Sequence, residues 1–226
     1  MPHNTIQIWY VDLQRSHAEL AQLRATLSND EVARGERLRF AELRRRFWVA
    51  RGALRAILAA ELQCAAADVM FAYGRNGKPA VIGDLRFNVS HSGELALIAI
   101  GYRRELGIDI EQVRPYAEVR QITGQFFSPY EQATLHALPS EQWSLGFFNC
   151  WTRKEAYLKA LGDGFARGLD TFDVTLAPGD VPRLLRVGWD AAEVDRWRMY
   201  AWQPAAAYTA ALCVAGEGWQ VEHRTW

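Results

Sequence analysis

The sequence predicts a mixed α/β (α+β) protein, and three observations carry that prediction. Period-two segments rich in Ile, Val and aromatic residues recur along the chain, as strands require. Between them, apolar residues at helical spacing end at Leu62 and again at Leu161. Ser28 and Ser128 each stand three residues before a glutamate, the capping-box pattern of a helix start. At 226 residues the chain makes one large domain or two small lobes, with enough length to bury a core.

Composition excludes several classes. Half the residues are hydrophobic and the formal charge is zero, so the basic footprint of a nucleic-acid binder is missing overall. Cys64, Cys150 and Cys213 are scattered without CxxC spacing, which speaks against a disulfide framework or structural zinc and suits a reducing cytoplasm. The opening MPHNTIQIWYVDL lacks a basic n-region followed by an apolar h-region. The longest apolar run, Leu95 to Ile100, is too short to span a bilayer. The expectation is a soluble cytoplasmic protein with no membrane and no nucleic-acid partner.

Thr5 to Leu13 reads as the opening strand. Ser28 and Glu31 then start a helical region that turns near Phe40 and runs to Leu62. Phe47, Leu54, Ile57, Leu58 and Leu62 should face the core. Arg34, Arg37, Arg39, Arg44, Arg45, Arg46, Arg51 and Arg55 lie mostly on the other arc. Such a run is either a solvated face or an anion site, because guanidinium forks match phosphate oxygens. Tyr73 to Pro79 is turn chemistry; Lys78 on it is either an exposed turn lysine or a group close to a ligand. In Asn88-Val89-Ser90-His91-Ser92, the Ser-His neighbours point apart on a strand, so contact with phosphate suits them better than a hydrolytic dyad.

Gly107-Ile108-Asp109-Ile110-Glu111 places two carboxylates on one face of a strand, with isoleucines on the other. The acids are either solvated on an edge or neutralised by a hard cation such as Mg²⁺. Val113-Arg114-Pro115 ends that strand, and Ser128, Pro129 and Glu131 begin a helix. Glu131 is a capping residue or part of a site, and the aromatics from Phe126 to Tyr130 could form a partner patch. A further helix spans Phe147 to Leu161, with Phe147, Phe148, Trp151, Leu158 and Leu161 as its apolar stripe and Gly162 and Gly164 as its stop. Glu155 falls within that stripe and Lys159 at its edge. The two form either a simple i,i+4 pair or, with Asp109 and Glu111, a third carboxylate around a cation. Asp163 to Gly168 reads as a loop; Leu169 to Leu176 and Trp197 to Val214 read as strands. A faint echo links Trp48-x-x-Arg51 to Trp151-x-x-Lys154 and Leu85–Ser90 to Leu169–Thr175.

GIDIE, FFSxxE and WxxKEAxxKxxGxG, preceded by GKP and NVSHS, together resemble the 4′-phosphopantetheinyl transferase family in its larger, Sfp-type branch. The resemblance implies two similar α/β lobes in a pseudo-twofold arrangement, 1–104 and 105–226, with the active site in the cleft between them. It implies coenzyme A as substrate, Mg²⁺ (with Mn²⁺ as substitute) as cofactor, and an acyl or peptidyl carrier protein as partner of a monomeric enzyme. The 4′-phosphopantetheine arm would pass to a carrier serine, releasing adenosine 3′,5′-bisphosphate. Asp109, Glu111 and Glu155 would hold the metal. Arg46 would hold the 3′-phosphate of coenzyme A, with Lys78, Ser90, His91 and Lys159 on its phosphates. Arg51, by its positive field, and Lys154, in the same motif, would complete the coenzyme A-binding set. The proton acceptor would be Glu155 directly or Glu131 through a water. Two other classes use the same residues: a Mg²⁺-dependent nucleotide phosphodiesterase or pyrophosphatase, and a non-catalytic coenzyme A-binding module.

Overall fold

A computed structural model describes residues 4–74, 76–162 and 167–226. The first half runs β1 (Thr5–Asp12), α1 (His17–Ala25), α2 (Asn29–Glu36) and α3 (Ala41–Leu62), then a 3₁₀ turn at Ala66–Asp68. The small hairpin β2 (Ala72–Tyr73) and β3 (Pro79–Ala80) follows, then β4 (Leu85–Ser92) and β5 (Leu95–Tyr102). The second half repeats the plan. It runs β6 (Leu106–Gln112), α4 (Tyr116–Phe126), α5 (Pro129–Ala137) and α6 (Trp143–Leu161), then a 3₁₀ turn at Leu169–Thr171. After it come β7 (Phe172–Val174), β8 (Leu184–Val187), α7 (Glu193–Arg196), β9 (Trp197–Trp202), β10 (Tyr208–Ala215) and β11 (Gln220–Thr225). In each half the first strand pairs antiparallel with the last strand of a hairpin, β1 with β5 and β6 with β10.

Two sheets result, ordered β11-β1-β5-β4 and β6-β10-β9. Strand alternation sorts their side chains. Ile6, Ile8, Leu97 and Ala99 of the first sheet share a core with Ile108, Ile110, Ala210 and Leu212 of the second. The opposite faces meet the long helices. Val49, Ala53, Leu54 and Leu58 of α3 pack on Val11, Ile98 and Ile100. Phe148, Ala156 and Ala160 of α6 share a core with Ala211 and Cys213. The layers are helix, sheet, sheet, helix. Among the described residues no helix is long and apolar enough to cross a membrane.

The α/β expectation holds, and both capping boxes form, with Ser28 and Ser128 as caps. Several boundaries differ. The helix expected from Phe147 starts at Trp143, and Gly162 caps it at φ +76°; Gly164 and most of the expected Asp163–Gly168 loop lie outside the described residues. Leu169–Thr171 is a 3₁₀ turn, and the long Trp197–Val214 segment breaks into β9 and β10. Leu62 is 36% exposed at the last position of α3, so it leaves the core face. The second lobe does not keep the whole of 105–226: β11 crosses back to pair in parallel with β1, and Trp226 packs on the α3 layer. The C-terminal strand thereby ties the two halves together.

Gly107 sets the approach of α6 to β6. A Cβ there would collide with the backbone of Ala156 and Ala160, so only glycine allows the helix to lie directly on the strand. Gly107→Ala is expected to destabilise the fold by about 3 kcal/mol through overpacking against rigid backbone. Urea denaturation measures it, and an unchanged midpoint would mean that the helix is not seated on the strand.

Candidate active site

That close contact brings α6 over the acidic face of β6. Trp151, Glu155 and Lys159 follow one another at four-residue intervals and lie on the half-buried arc of α6. Glu155 is thus on the arc that opens to the cleft, beside the fully apolar core stripe and not within it. Lys159 Nζ lies 2.6 Å from Asp109 Oδ1 and donates to Ser90 Oγ at 3.0 Å. Ser90 Oγ in turn donates to Asp109 Oδ1 at 2.7 Å. Asp109 is only 3% exposed. Ser92 Oγ donates to Glu111 Oε2 at 2.8 Å and accepts from Gln112 N at 3.1 Å. Asn88 Oδ1 accepts from Ile108 N at 2.8 Å. The serines of the NVSHS segment therefore hold the acids, and Ser90 meets Asp109 and Lys159 where a phosphate contact was expected.

The acids crowd one another. Burial, then Asp109, and to a lesser degree Glu111, push the Glu155 carboxyl up to about 7 against the pull of Lys159. Burial and then Asp109 also raise Glu111, with Ser92 opposing. Asp109 Oδ2 and Glu155 Oε1 are buried without a hydrogen-bond partner. Orphaned, mutually repelling carboxylate oxygens are what a hard divalent cation satisfies, so the donor set fits Mg²⁺. Among the described residues no three acid, histidine or cysteine side chains already surround an ion position, and Lys159 supplies the positive charge on Asp109.

Two grooves flank this cluster. One, of about 240 Å³, is lined by Lys78, Pro79, Asn88, Glu155, Lys159 and Gly162. The other, of about 230 Å³, is lined by residues that include Arg34, Phe47, Arg51, Tyr73, Asn88 and His91. Asn88, Gly77 and Pro79 border both, so the two are neighbours. Lys78 reaches across the lobes to the carbonyls of Leu106 and Ala160 at 3.2 and 3.4 Å, and burial lowers its pKa. His91, open to solvent on one side, is held below the ordinary imidazole range by desolvation, then by Lys159 and Arg46.

The arginines are more committed than their sequence suggests. Arg46 pairs with Glu94 at 2.6 Å and with Glu42, and Glu94 raises its pKa. Arg51 pairs with Glu31 at 2.5 Å, donates to the Tyr73 hydroxyl and lies over the Phe71 ring. Arg55 is buried against the same glutamate and donates to the carbonyls of Ala66 and Val69. Arg34 carries no role in the sequence resemblance; it lines the groove and lies over Phe47. Asn88 and Ser92 were missed as well. Their period-two placement with Ser90 on β4 is the signal that could have found them.

Glu131 and Lys154 are not in the cleft. Lys154 is fully buried; its ammonium lies 2.8 Å from Glu131 and donates to the carbonyls of Leu169 and Phe172 at 2.6 and 2.5 Å. Glu131 is fully buried too, accepting from Ser128 N at 3.0 Å and Val174 N at 2.9 Å. Burial raises its pKa, and Lys154 draws it back. Consecutive helical residues point about 100° apart, so Lys154 enters the core while Glu155 faces the cleft. The water-bridged base expected of Glu131, and the ligand contact expected of Lys154, are replaced by a buried structural ion pair. Phe127 of the proposed aromatic patch is also buried, leaving Phe126 and Tyr130 partly exposed.

Two outcomes follow from these positions. Lys154→Ala should cost about 3–5 kcal/mol by stranding Glu131, read by chemical denaturation; a loss below about 1 kcal/mol would contradict the pairing. The second concerns pH. Glu155 titrates near 7 folded and near 4.5 as an ordinary carboxyl, so the folded chain holds the extra proton between those values. The stability linked to that proton is present at low pH and lost as pH rises through about 7. Melting temperatures of the metal-free protein should fall from about pH 5 to 8, less steeply in Glu155→Gln; equal slopes would refute the shift.

A family model described as the 4′-phosphopantetheinyl transferase superfamily matches residues 105–213, the stretch that carries β6, α5 and α6. The 4′-phosphopantetheinyl transferase HetI of Nostoc sp. is 41% identical over 221 residues, 95% of this chain and 90% of the relative. The 4′-phosphopantetheinyl transferase psf-1 of Bacillus pumilus is 32% identical over 76% of this chain and 73% of its own length. For the 4′-phosphopantetheinyl transferase Sfp of Bacillus subtilis the identity is 28%, with 74% of each chain covered. The matched lengths take in both halves of the fold, and the motif residues around Asp109 and Glu155 fall in the segment that the family model recognises. On this likeness the chain belongs to the 4′-phosphopantetheinyl transferase superfamily and is of the Sfp type.

Proposed function

We propose that this cleft transfers the 4′-phosphopantetheine arm of coenzyme A to a serine hydroxyl of an apo carrier protein. The observation that carries the reading is the pair of orphaned oxygens, Asp109 Oδ2 and Glu155 Oε1, beside Lys159. Glu155 and Lys159 line the groove that also holds Lys78. Coenzyme A would lie along the two grooves, its diphosphate next to Lys159 and Lys78. Its 3′-phosphate end would lie towards Arg34 and His91, with Arg51 and Arg46 as neighbouring positive charge held in place by glutamates. Asp109, Glu111 and Glu155 would hold Mg²⁺. When bound, the ion supplies charge neutralisation at the phosphates.

The remaining steps belong to side chains. The carrier serine oxygen forms a bond to the phosphorus that bears the pantetheine, and the bond from that phosphorus to the bridging oxygen breaks. Adenosine 3′,5′-bisphosphate leaves. Phosphoryl transfer of this kind depends mainly on positioning and charge. Glu155 accepts the serine proton. With Glu131 enclosed in the core, Glu155 is the remaining candidate for that role. Lys159 stabilises the departing phosphate. Three free cysteines suit a cytoplasmic enzyme of this kind.

Incubation with Mg²⁺, coenzyme A and a panel of apo carriers should add the phosphopantetheine mass to a carrier. Glu155→Gln is expected to lower the transfer rate by about 10²–10⁴-fold while keeping the fold. Consumption of coenzyme A without any carrier would instead identify a phosphodiesterase, and unchanged turnover in Glu155→Gln would remove Glu155 from the chemistry.

A further inference from the structure

β4 and β6 run side by side at the junction of the two sheets, yet among the described residues no main-chain ladder joins them. Side chains take the ladder's place. Asn88, Ser90 and Ser92 project from the same face of β4 and meet Ile108 N, Asp109 and Glu111 in register. Ser92, like Ser90, is held on both sides, and its partners are a carboxylate and a main-chain amide. Its single hydroxyl hydrogen goes to Glu111 Oε2 at 2.8 Å while its lone pair takes the amide of Gln112 at 3.1 Å. A hydroxyl so occupied on both sides cannot rotate without losing one bond.

The backbone behind Ser92 is pinned as well. Gly93 has φ +55°, and the Tyr208 hydroxyl and Gln112 Oε1 fill the space that a side chain would need. The turn after β4 is thereby pressed against β10 and β6. We infer that Ser92 is a positioning residue that fixes the Glu111 carboxylate, leaving its second oxygen directed to the divalent ion. The inference rests on the metal-binding reading above. A neutral donor is the suitable partner for this role. It orients the carboxylate without cancelling its charge, whereas Lys159 sets a full positive charge against Asp109.

The test is a Mn²⁺ titration followed by electron paramagnetic resonance, with coenzyme A present and no carrier, so that no turnover occurs. Ser92→Ala should weaken Mn²⁺ binding by about tenfold, the lower end of the effect of removing a partner that orients a ligand. Ser92→Thr, which keeps the hydroxyl, should bind as the parent does. Thermal unfolding by circular dichroism is run beside both variants. Parent-like affinity in Ser92→Ala overturns the inference. So does an equal loss in the alanine and threonine variants, which would mark a merely structural role. Absence of Mn²⁺ binding in the parent itself would overturn the metal reading first, and the role of Ser92 with it.

Discussion

The site depends on one steric permission: α6 lies against β6 because Gly107 has no side chain. Each later feature follows from that contact. With the helix seated, the arc of Glu155 and Lys159 stands over Asp109, and one carboxylate is pressed close to two others in a half-buried space. The repulsion is then a property of the fold. Burial and the neighbouring acids raise Glu155, and Lys159 relieves only part of the charge. A helix held a few ångströms further away would let water solvate the acids, and a cation would gain little by binding there.

Support for this arrangement comes from a device used twice. In the first half, Glu31 caps α2 with Ser28 and is buried against Arg51 and Arg55 of α3. In the second, Glu131 caps α5 with Ser128 and is buried against Lys154 of α6. The cations also seek matching carbonyls. Arg55 donates to Ala66, the first residue of a 3₁₀ turn, and to Val69 just after that turn. Lys154 donates to Leu169 and Phe172, which hold the same places at the other turn. Work divided between two arginines in one lobe is done by a single lysine in the other. Each pair locks a short helix and a 3₁₀ turn onto the long helix, which is why these charges are buried and satisfied.

What the residues disclosed in advance, and what they hid, has physical reasons. Alternation exposed β1 and β6, and the i,i+2 acids were visible because a strand repeats every second residue. The capping boxes were legible because they are local. Lys154 and Glu131 misled because they sit inside the motifs of the site, and only the three-dimensional phase of α6 turns one neighbour inward and the next outward. α1 buries none of its residues, so no apolar stripe marks it. β11 is equally quiet, with exposed Gln220, His223, Arg224 and Thr225. Its place is set by parallel pairing with β1, at the far end of the chain. Commitment of the arginines to glutamates was also hidden, because Glu94 beside Arg46 and Glu31 beside Arg51 are distant in sequence.

The repeated plan raises the question of why, among the described residues, the acid cluster lies in the second half and has no counterpart in the first. Glu155 follows Lys154 on α6, and the residue that follows Arg51 on α3 is Gly52. A Cβ at Gly52 would stand 2.8 Å from the Cβ of Leu23, because α1 packs across α3 at that point. Among the described residues no counterpart of α1 covers Glu155, which lines a groove with Lys78 and Lys159. In the first lobe the position is used for helix packing, and β1 presents Trp9 and Val11 where β6 presents acids. The first half thus keeps the shared framework and its buried ion pairs but covers the surface where a second cation could sit. It contributes Ser90, Ser92 and the groove lined by Arg34 and His91, and the second half contributes the carboxylates. Neither lobe holds a complete site, so the chemistry belongs to the seam that β4 and β6 make together.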